Sequence, residues 1–267
     1  MMKTLKILNL IFFILTIGVN ALANIIPLGV GNTGEISSKY PNLFTPAPIT
    51  FSIWGLIYIL LALFVIYQLA LFDNTVLADT LVELIGPWFI VSCIMNIGWI
   101  FSWHYDVTWL SLLFIVGLLL SLIVITSNIL PSDVIKASGM SDLPVSTVAC
   151  IAAFDIYLGW ITAATIANVS VLLAKLKWTQ FGLSPLFWMV VILIVGAILA
   201  VLFIITKERY LSALAIVWAY SGILIKHISK NGYGGQYPLI IAVTIACIVI
   251  ILSTGLVKAI MTSNVIS

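Results

Sequence analysis

The sequence predicts an all-α protein that crosses a membrane eight times. Hydrophobic residues make up 63% of the 267 positions and charged residues only 7%, a balance that soluble globular domains do not have. The mean hydropathy of +1.26 agrees with this composition. The apolar residues form continuous runs of about 20 residues, which is the length that a helix needs to cross a bilayer. A β-barrel would need shorter segments of alternating polarity, and the net charge of +2 is too small to indicate a nucleic-acid partner.

The apolar runs predict the helices in order along the chain. The first run follows a short basic start with Lys3 and Lys6. Two interpretations of it are open from the residues: a retained helix, or a signal that is cleaved after Ala21-Leu22-Ala23 and leaves seven helices; the resemblance described below favours the retained helix. A tight turn at residues 104–106 makes the third and fourth helices antiparallel neighbours. The predicted helices cover residues 7–26, 51–72, 84–103, 107–130, 145–174, 185–206, 210–226 and 239–260.

Three connections stand out between these helices. Glycines and prolines in residues 27–50 are expected to preclude a regular helix there. Asp73, Asp79 and Glu83 mark an acidic connection before the third helix, and residues 131–146 form a polar loop. The three cysteines fall in apolar runs and match no metal motif, so buried free thiols are expected and no metal site is predicted.

The segment from Phe44 to Tyr58 joins a stiff loop to the second helix. Prolines hold the loop extended, because proline fixes φ and disfavours helix in the residue before it. Trp54 and Tyr58 are four residues apart and therefore project from one helix face. Two interpretations follow: a loop that closes a lid over an aromatic pocket, or a loop followed by an interfacial aromatic anchor.

The third and fifth helices each carry a face of aromatic and amide side chains. Asn96 and Trp99 share a face of the third helix, and an amide inside a bilayer needs a partner in the protein. The asparagines are interpreted either as interhelical hydrogen-bonding groups or as the polar base of an aromatic pocket. The corresponding residues of the fifth helix, spaced by three or four positions, are Tyr157, Trp160, Ala164 and Asn168.

Asp155 is the carboxylate placed well inside an apolar run. An ionisable group within a membrane is costly and is a functional hypothesis by default, here an ion or proton site. If the fifth helix enters the bilayer late, the same carboxylate lies near the headgroups and only forms hydrogen bonds there. No P-loop, zinc-protease or nucleophile-elbow motif is present in the sequence, so no catalytic residue is predicted.

Taken in order, these motifs resemble the TspO/MBR family of tryptophan-rich sensory proteins, which includes the mitochondrial translocator protein. Phe44-Thr45-Pro46-Ala47 with Trp54 and Tyr58 is similar to the element that opens the family's second helix. Asn96-x-x-Trp99 is similar to its third-helix motif, and the fifth helix has Tyr157-x-x-Trp160-x-x-x-Ala164-x-x-x-Asn168. Two departures are that the first loop has Tyr40 but no tryptophan, and that Ile156 replaces a proline common before the fifth-helix tyrosine.

The resemblance implies a five-helix bundle in residues 1–177 and a three-helix C-terminal extension in residues 178–267. It implies a membrane receptor with a regulatory or stress-related role that binds a porphyrin, a haem-related tetrapyrrole or a lipidic ligand, with no required cofactor. A porphyrin-degrading activity is left open, with Trp54 and Trp160 as the candidate reactive aromatics. The alternative function is a proton- or ion-coupled transporter that uses Asp155.

The resemblance also implies where the protein acts and what it contacts. The expected location is a bacterial plasma membrane. The expected partners are the lipid bilayer and a hydrophobic small molecule, with no nucleic acid and with a homodimer left open. The residues carried over as ligand-binding are Trp54, Tyr58, Asn96, Trp99, Tyr157, Trp160, Ala164 and Asn168.

Overall fold

The described part of the chain is built from α-helices, with two short 3-10 turns and no strand. The structure is a computed structural model, and it describes residues 2–26, 31, 33–69, 75–129 and 143–266. The polar loop predicted at residues 131–146 lies largely outside these residues. The helices are α1 (Met2–Ile25), α2 (Thr33–Lys39), α3 (Ile53–Tyr67), α4 (Thr75–Ile85), α5 (Trp88–His104), α6 (Thr108–Ile129), α7 (Val145–Lys175), α8 (Pro185–Lys207), α9 (Tyr210–Ile228) and α10 (Pro238–Ile266).

The all-α membrane fold predicted from the sequence is confirmed. Seven helices of the described residues are long and apolar enough to cross a membrane, and the number is eight if the bent pair α4 and α5 forms one span. The helices α1, α3, α5, α6 and α7 pack together as a bundle, in which α5 and α6 are adjacent and α7 lies against both α3 and α6.

The acidic connection predicted before the third helix is wrong, because α4 occupies it. Ala78, Leu81, Val82 and Ile85 recur at helical spacing, and all four side chains are buried. The acidic residues lie on the outer face of α4, where Asp79 forms an ion pair of 2.5 Å with Lys6 of α1. The axis bends by 57° between α4 and α5, at Gly86 and Pro87.

The first loop also contains a helix that the sequence did not predict. Glycines and prolines were expected to preclude regular structure throughout residues 27–50, yet α2 forms from Thr33 to Lys39. Gly34 lies in the first turn of this helix and the next proline, Pro41, follows its last residue, so neither residue type interrupts it after its first turn. This helix packs against α5.

The C-terminal helices pack against one another and against the first bundle through α9. The helix α9 lies along α7 and contacts both α8 and α10. The crossing of α7 and α9 is close at Gly159, where a β-carbon would collide with the backbone of Ser212. The division at residue 177 stays a prediction, but the two predicted parts share this buried face.

Candidate functional site

Trp54 lies at the centre of a cluster of aromatic rings contributed by α3, α5 and α7. Its ring stacks on Tyr58 and on Trp99, with 5.5 Å between centroids in each pair. The edges of Tyr157 and Trp160 meet it at 5.9 and 6.1 Å. The helical spacing of the sequence motifs places each aromatic on an inward face, and the bundle brings those faces together.

A chain of hydrogen bonds lies beneath these rings and connects four helices. The Tyr58 hydroxyl donates to Asn20 Oδ1 at 2.7 Å, and Asn20 Nδ2 donates to Asn96 Oδ1 at 2.7 Å. Asn96 Nδ2 then donates to the Tyr157 hydroxyl at 2.9 Å. Each amide therefore satisfies its polar atoms inside the protein, as a bilayer interior requires.

Asn20 was missed by the sequence reasoning. It lies within the first apolar run, which was interpreted only as a membrane span or a signal. A buried amide in such a run needs a protein partner, and this rule was applied to the third and fifth helices but not to the first. The same rule would have selected Asn20 as a residue that faces the bundle.

Small side chains of α7 leave an apolar cavity on one side of the Trp54 ring. Its volume is about 30 Å³, and its walls include Phe44, Trp99, Trp160, Ala163 and Ala164. Asn168 also lines it, but its amide oxygen accepts a hydrogen bond of 2.8 Å from Ser111 of α6. In this conformation Asn168 therefore connects α6 and α7 at the cavity wall.

A second cavity of about 230 Å³ also borders the Trp54 ring. Asn20, Tyr58 and Pro48 help to line it. Trp54, Trp99, Phe51 and Thr33 line both cavities. The two cavities are therefore adjacent, with Trp54 at their common border.

Two tryptophans of this site have buried indole N–H groups without an acceptor among the described residues. Trp99 Nε1 and Trp160 Nε1 are buried and have no hydrogen-bond partner among the described residues, and both side chains line the smaller cavity. A buried polar group without a partner costs about 1–3 kcal/mol. The two donors are therefore free to bind an acceptor that reaches them.

The loop segment from Asn42 to Thr50, here called the lid, covers the smaller cavity. The Asn42 side chain organises it, because its Oδ1 accepts from the backbone N–H groups of Phe44 and Thr45 at 3.1 and 3.0 Å. Phe44 and Pro46 then point into the cavity wall. The prediction of a loop above the aromatic face agrees with this position.

The C-terminal part of the chain supplies one wall of the site and most of the anchors of the lid. Ala219 and Ile223 of α9 line the smaller cavity. The N–H of Ala47 donates to the Gly222 carbonyl at 3.0 Å, and Trp218 Nε1 donates to the Thr50 carbonyl at 2.8 Å. Two further contacts reach the lid from the end of α9 and from the connection after it. His227 Nε2 lies 3.0 Å from the Leu43 carbonyl, and the Tyr233 hydroxyl donates to the Asn42 carbonyl at 3.1 Å.

These α9 residues were not predicted from the sequence. The wall residues Ala219 and Ile223 are small or aliphatic, and nothing in their spacing distinguishes them from ordinary helix packing. Trp218 and His227 are larger, but their own helix does not indicate that they lie against the lid. Gly222 differs from the other α9 residues because its lack of a side chain is required. A β-carbon there would collide with the Thr50 side chain. The close approach of α9 to the lid requires glycine at this position.

Asp106 fastens the end of α2 to the turn between α5 and α6. Its carboxylate accepts from Lys39 Nζ at 2.6 Å, from the Tyr40 hydroxyl at 2.7 Å and from Lys175 Nζ at 3.0 Å. Partial burial alone would raise the pKa of Asp106, but these hydrogen bonds and the charge of Lys175 outweigh it and lower the pKa to about 2. The carboxylate is thus ionised at neutral pH and holds Lys39, Tyr40 and Lys175 together.

Asp155 lies apart from the aromatic site and has its own partners. Its carboxylate accepts from the N–H of Ser212 at 3.1 Å and from the Ser212 hydroxyl at 2.6 Å, and it lies 3.6 Å from the guanidinium of Arg209. Arg209 and Ser212 belong to the first turn of α9, so Asp155 caps that helix from α7. It lines a cavity of about 100 Å³ that shares no lining residue with the aromatic site.

Comparison with known proteins fits this arrangement of helices and aromatics. The family described as TSPO-like protein matches residues 6–257. The chain belongs to the TSPO-like family. No curated protein and no solved structure matches it.

The family match extends beyond the helices on which the sequence resemblance was based. It runs past residue 177 and includes α8, α9 and most of α10 of this TSPO-like protein. Helices six to eight, which the sequence reasoning placed outside the family's five-helix pattern, therefore fall inside the matched region. This agrees with the packing, in which α9 is a wall of the aromatic site.

Proposed function

We propose that this TSPO-like membrane protein binds a flat, mainly apolar ligand that carries hydrogen-bond acceptors. A porphyrin or another tetrapyrrole is the first candidate, and the binding would serve a regulatory or stress-related role. The observation that carries the proposal is the pair of buried, unpaired indole N–H groups of Trp99 and Trp160 beside stacked aromatic rings. The bacterial plasma membrane stays a prediction.

The chemistry of the site supports a ring-shaped ligand. Trp54, Trp99 and Trp160 offer flat faces, and aromatic stacking contributes about 0.5–1.5 kcal/mol beyond apolar burial. The N–H groups of Trp99 and Trp160 would donate to ring nitrogens or to carbonyl or carboxylate oxygens at the edge of the ligand. A purely aliphatic lipid could fill the same space but would leave both donors unpaired.

The size of the site indicates that binding requires an opening movement. A cavity of about 30 Å³ holds little more than a water molecule, whereas pockets for drug-sized ligands measure about 300–1,000 Å³. Displacement of Trp54 would join this cavity to the neighbouring space of about 230 Å³. Movement of the lid would add further room.

The experiment that tests the proposal is a titration of the purified protein with protoporphyrin IX, followed by tryptophan quenching and porphyrin absorbance. The variants Trp99→Phe and Trp160→Phe keep a ring but remove the N–H donor. Each is expected to weaken binding about fivefold, which corresponds to about 1 kcal/mol for one hydrogen bond. Trp109→Phe is the control, because this residue is 59% exposed and lies outside the site.

The outcomes separate the functions that remain open. Absence of saturable binding, or equal binding by all three variants, would overturn the tetrapyrrole pocket. Slow loss of the porphyrin absorbance under illumination would instead support the degrading activity that the resemblance leaves open. No observation favours the transporter alternative, because the Asp155 carboxylate is engaged by Ser212 and Arg209.

A further inference from the structure

A large cavity lies outside the aromatic site. It is a groove of about 690 Å³ between the end of α7 and the start of α8. The lid and the connection between α9 and α10 close its remaining sides, through Leu43 and Tyr233. Phe44 is the residue that lines both this groove and the smaller aromatic cavity. The groove exists because the C-terminal helices are present, since α8 and the residues before α10 supply much of its lining.

The connection between α7 and α8 holds the groove open. Lys177, Gln180 and Phe181 have positive φ values of 51°, 58° and 54°, which reverse the chain in a short distance. Trp188 Nε1 donates to the Gln180 carbonyl at 3.0 Å, and the Trp178 and Trp188 rings are 5.0 Å apart. These contacts fix the reversal, so that α8 diverges from α7 here while α9 packs between them.

The polarity of the groove changes from its rim to its interior. Lys177 and Ser184 lie in the connection between two membrane spans and are exposed, which places them at the level of the lipid headgroups. Met189 and Ile192 lie deeper along α8, inside the span. From Ser184 to Ile192 the helix rises about 12 Å. The groove thus combines a polar rim with an apolar interior of the length of an acyl-chain segment.

The charge at the rim favours an anionic headgroup. Lys177 has no acidic partner among the described residues, whereas the neighbouring Lys39 and Lys175 are both bound to Asp106. Lys226 and Lys230 lie at the same end of the molecule. A cation without a partner beside a wet rim attracts negative lipid headgroups.

We propose that this groove is a binding site for an anionic phospholipid of the surrounding bilayer, with its headgroup at Lys177 and an acyl chain against Met189 and Ile192. The aromatic rings of Trp178 and Trp188 stand at the depth where tryptophan commonly meets the interface. The site borders the aromatic site at Phe44, but neither proposal requires the other.

Native mass spectrometry of the full-length protein tests the site. The protein is released from nanodiscs that contain either phosphatidylglycerol or phosphatidylcholine with the same acyl chains, and the retained lipids are counted. Phosphatidylglycerol is expected to be retained preferentially. Lys177→Gln is expected to reduce the retention of phosphatidylglycerol about fivefold and to leave that of phosphatidylcholine unchanged. A fivefold loss is the effect expected when one lysine near the membrane surface is removed.

Two matched controls distinguish a site from general surface attraction. Lys230→Gln removes an exposed lysine at the same end that does not line the groove, and it is expected to retain phosphatidylglycerol as the wild type does. Ala174→Trp fills the groove from α7 and is expected to lower the retention of both lipids. Val169→Trp, placed on an exposed position of the same helix, is expected to leave retention unchanged.

Several results would overturn the proposal. Equal retention of the two lipids by the wild type would do so, as would equal losses in Lys177→Gln and Lys230→Gln. A dimer that dissociates in Ala174→Trp would assign the groove to a second copy of the chain instead. Protoporphyrin titration of Lys177→Gln is a separate readout. Its affinity is expected to match that of the wild type. This result distinguishes failure of the lipid site from failure of the aromatic pocket.

Discussion

The amide group of Asn20 joins three helices by itself. It accepts from Tyr58 of α3 and donates to Asn96 of α5, while its own helix is α1. Asn96 in turn donates a hydrogen bond to the Tyr157 hydroxyl of α7. A bilayer interior has no water to replace a missing hydrogen-bond partner. Each side chain of this hydrogen-bond chain therefore depends on its neighbour.

Replacement of Asn20 by leucine is expected to lower the free energy of unfolding by about 1–3 kcal/mol, because the Asn96 oxygen and the Tyr58 hydroxyl lose their partner in a buried place. The measurement is unfolding in mixed micelles, followed by circular dichroism. Asn128→Leu is the control, since Asn128 is exposed and bonds the Leu84 carbonyl at the surface of the bundle. Equal stabilities of the two variants would show that the amide chain contributes little.

Asp106 gives a pH-dependent contribution to stability. Its pKa is about 2 in the folded protein and near 3.9 in an unfolded chain. Because the folded value is the lower one, its contribution is fully present above about pH 4 and is lost as the pH falls toward 2. After allowance for solvent screening at this partly exposed site, the contribution is about 1 kcal/mol.

Asp106→Asn tests this contribution. The variant is expected to melt at a lower temperature than the wild type at pH 7, and the difference between the two proteins is expected to disappear near pH 2. Thermal melting at a series of pH values measures both quantities. A difference that stays constant with pH would mean that the hydrogen-bond geometry, and not the charge, is what Asp106 contributes.

The helix α9 acts as the support of the lid. Its Gly222 carbonyl accepts from the N–H of Ala47, and its Trp218 donates to Thr50. The same helix closes the cavity with Ala219 and Ile223. A helix that the sequence resemblance left without a role therefore contributes both wall and lid anchor.

Gly222→Ala is expected to push the lid away from α9, because the new β-carbon would occupy the space of the Thr50 side chain. Hydrogen–deuterium exchange of the lid amides, that of Ala47 above all, is expected to become about tenfold faster, since an amide that loses about 1.4 kcal/mol of protection exchanges tenfold faster. Gly255→Ala in α10 is the control, because its β-carbon would meet neighbouring atoms at the ordinary distance of 3.8 Å. Unchanged exchange in Gly222→Ala would show that α9 does not hold the lid in place.

At the level of the whole molecule, the two predicted parts of the chain meet along α7 and α9. The Asp155 cap and the close crossing at Gly159 lie on this face. Fragments 1–177 and 178–267, expressed together, are expected to associate in the membrane and to purify as one complex. Gly159→Leu is expected to abolish the association, whereas Gly18→Leu, with open space around it, is expected to preserve it. Independent purification of the unaltered fragments would favour two separate domains.

The inward faces of the helices could be predicted from the sequence because they follow from spacing. Trp54, Trp99 and Trp160 each occupy a helical position that the motif identified, and a bundle must turn such polar aromatic faces away from lipid. The membrane fold follows from composition in the same way. Both predictions rest on properties that a single helix carries by itself.

The partners across helices could not be predicted in this way. Asp155 was recognised as a costly carboxylate, but nothing in its own helix indicates that Arg209 and Ser212 lie beside it. The helix α4 was missed because its acidic residues were given more weight than the regular spacing of Ala78 and Leu81. The α9 wall was missed because small and aliphatic residues carry no chemical pattern.

Under the proposed function, the Trp54 ring competes with the ligand for space, because it lines both cavities of the aromatic site. In the closed form the indole ring occupies space between the two cavities that a flat ligand would need. An open form populated about 1% of the time would weaken the apparent affinity about a hundredfold relative to the open site. The observed association rate would then level off at high ligand concentration, at the rate with which the ring and the lid move aside.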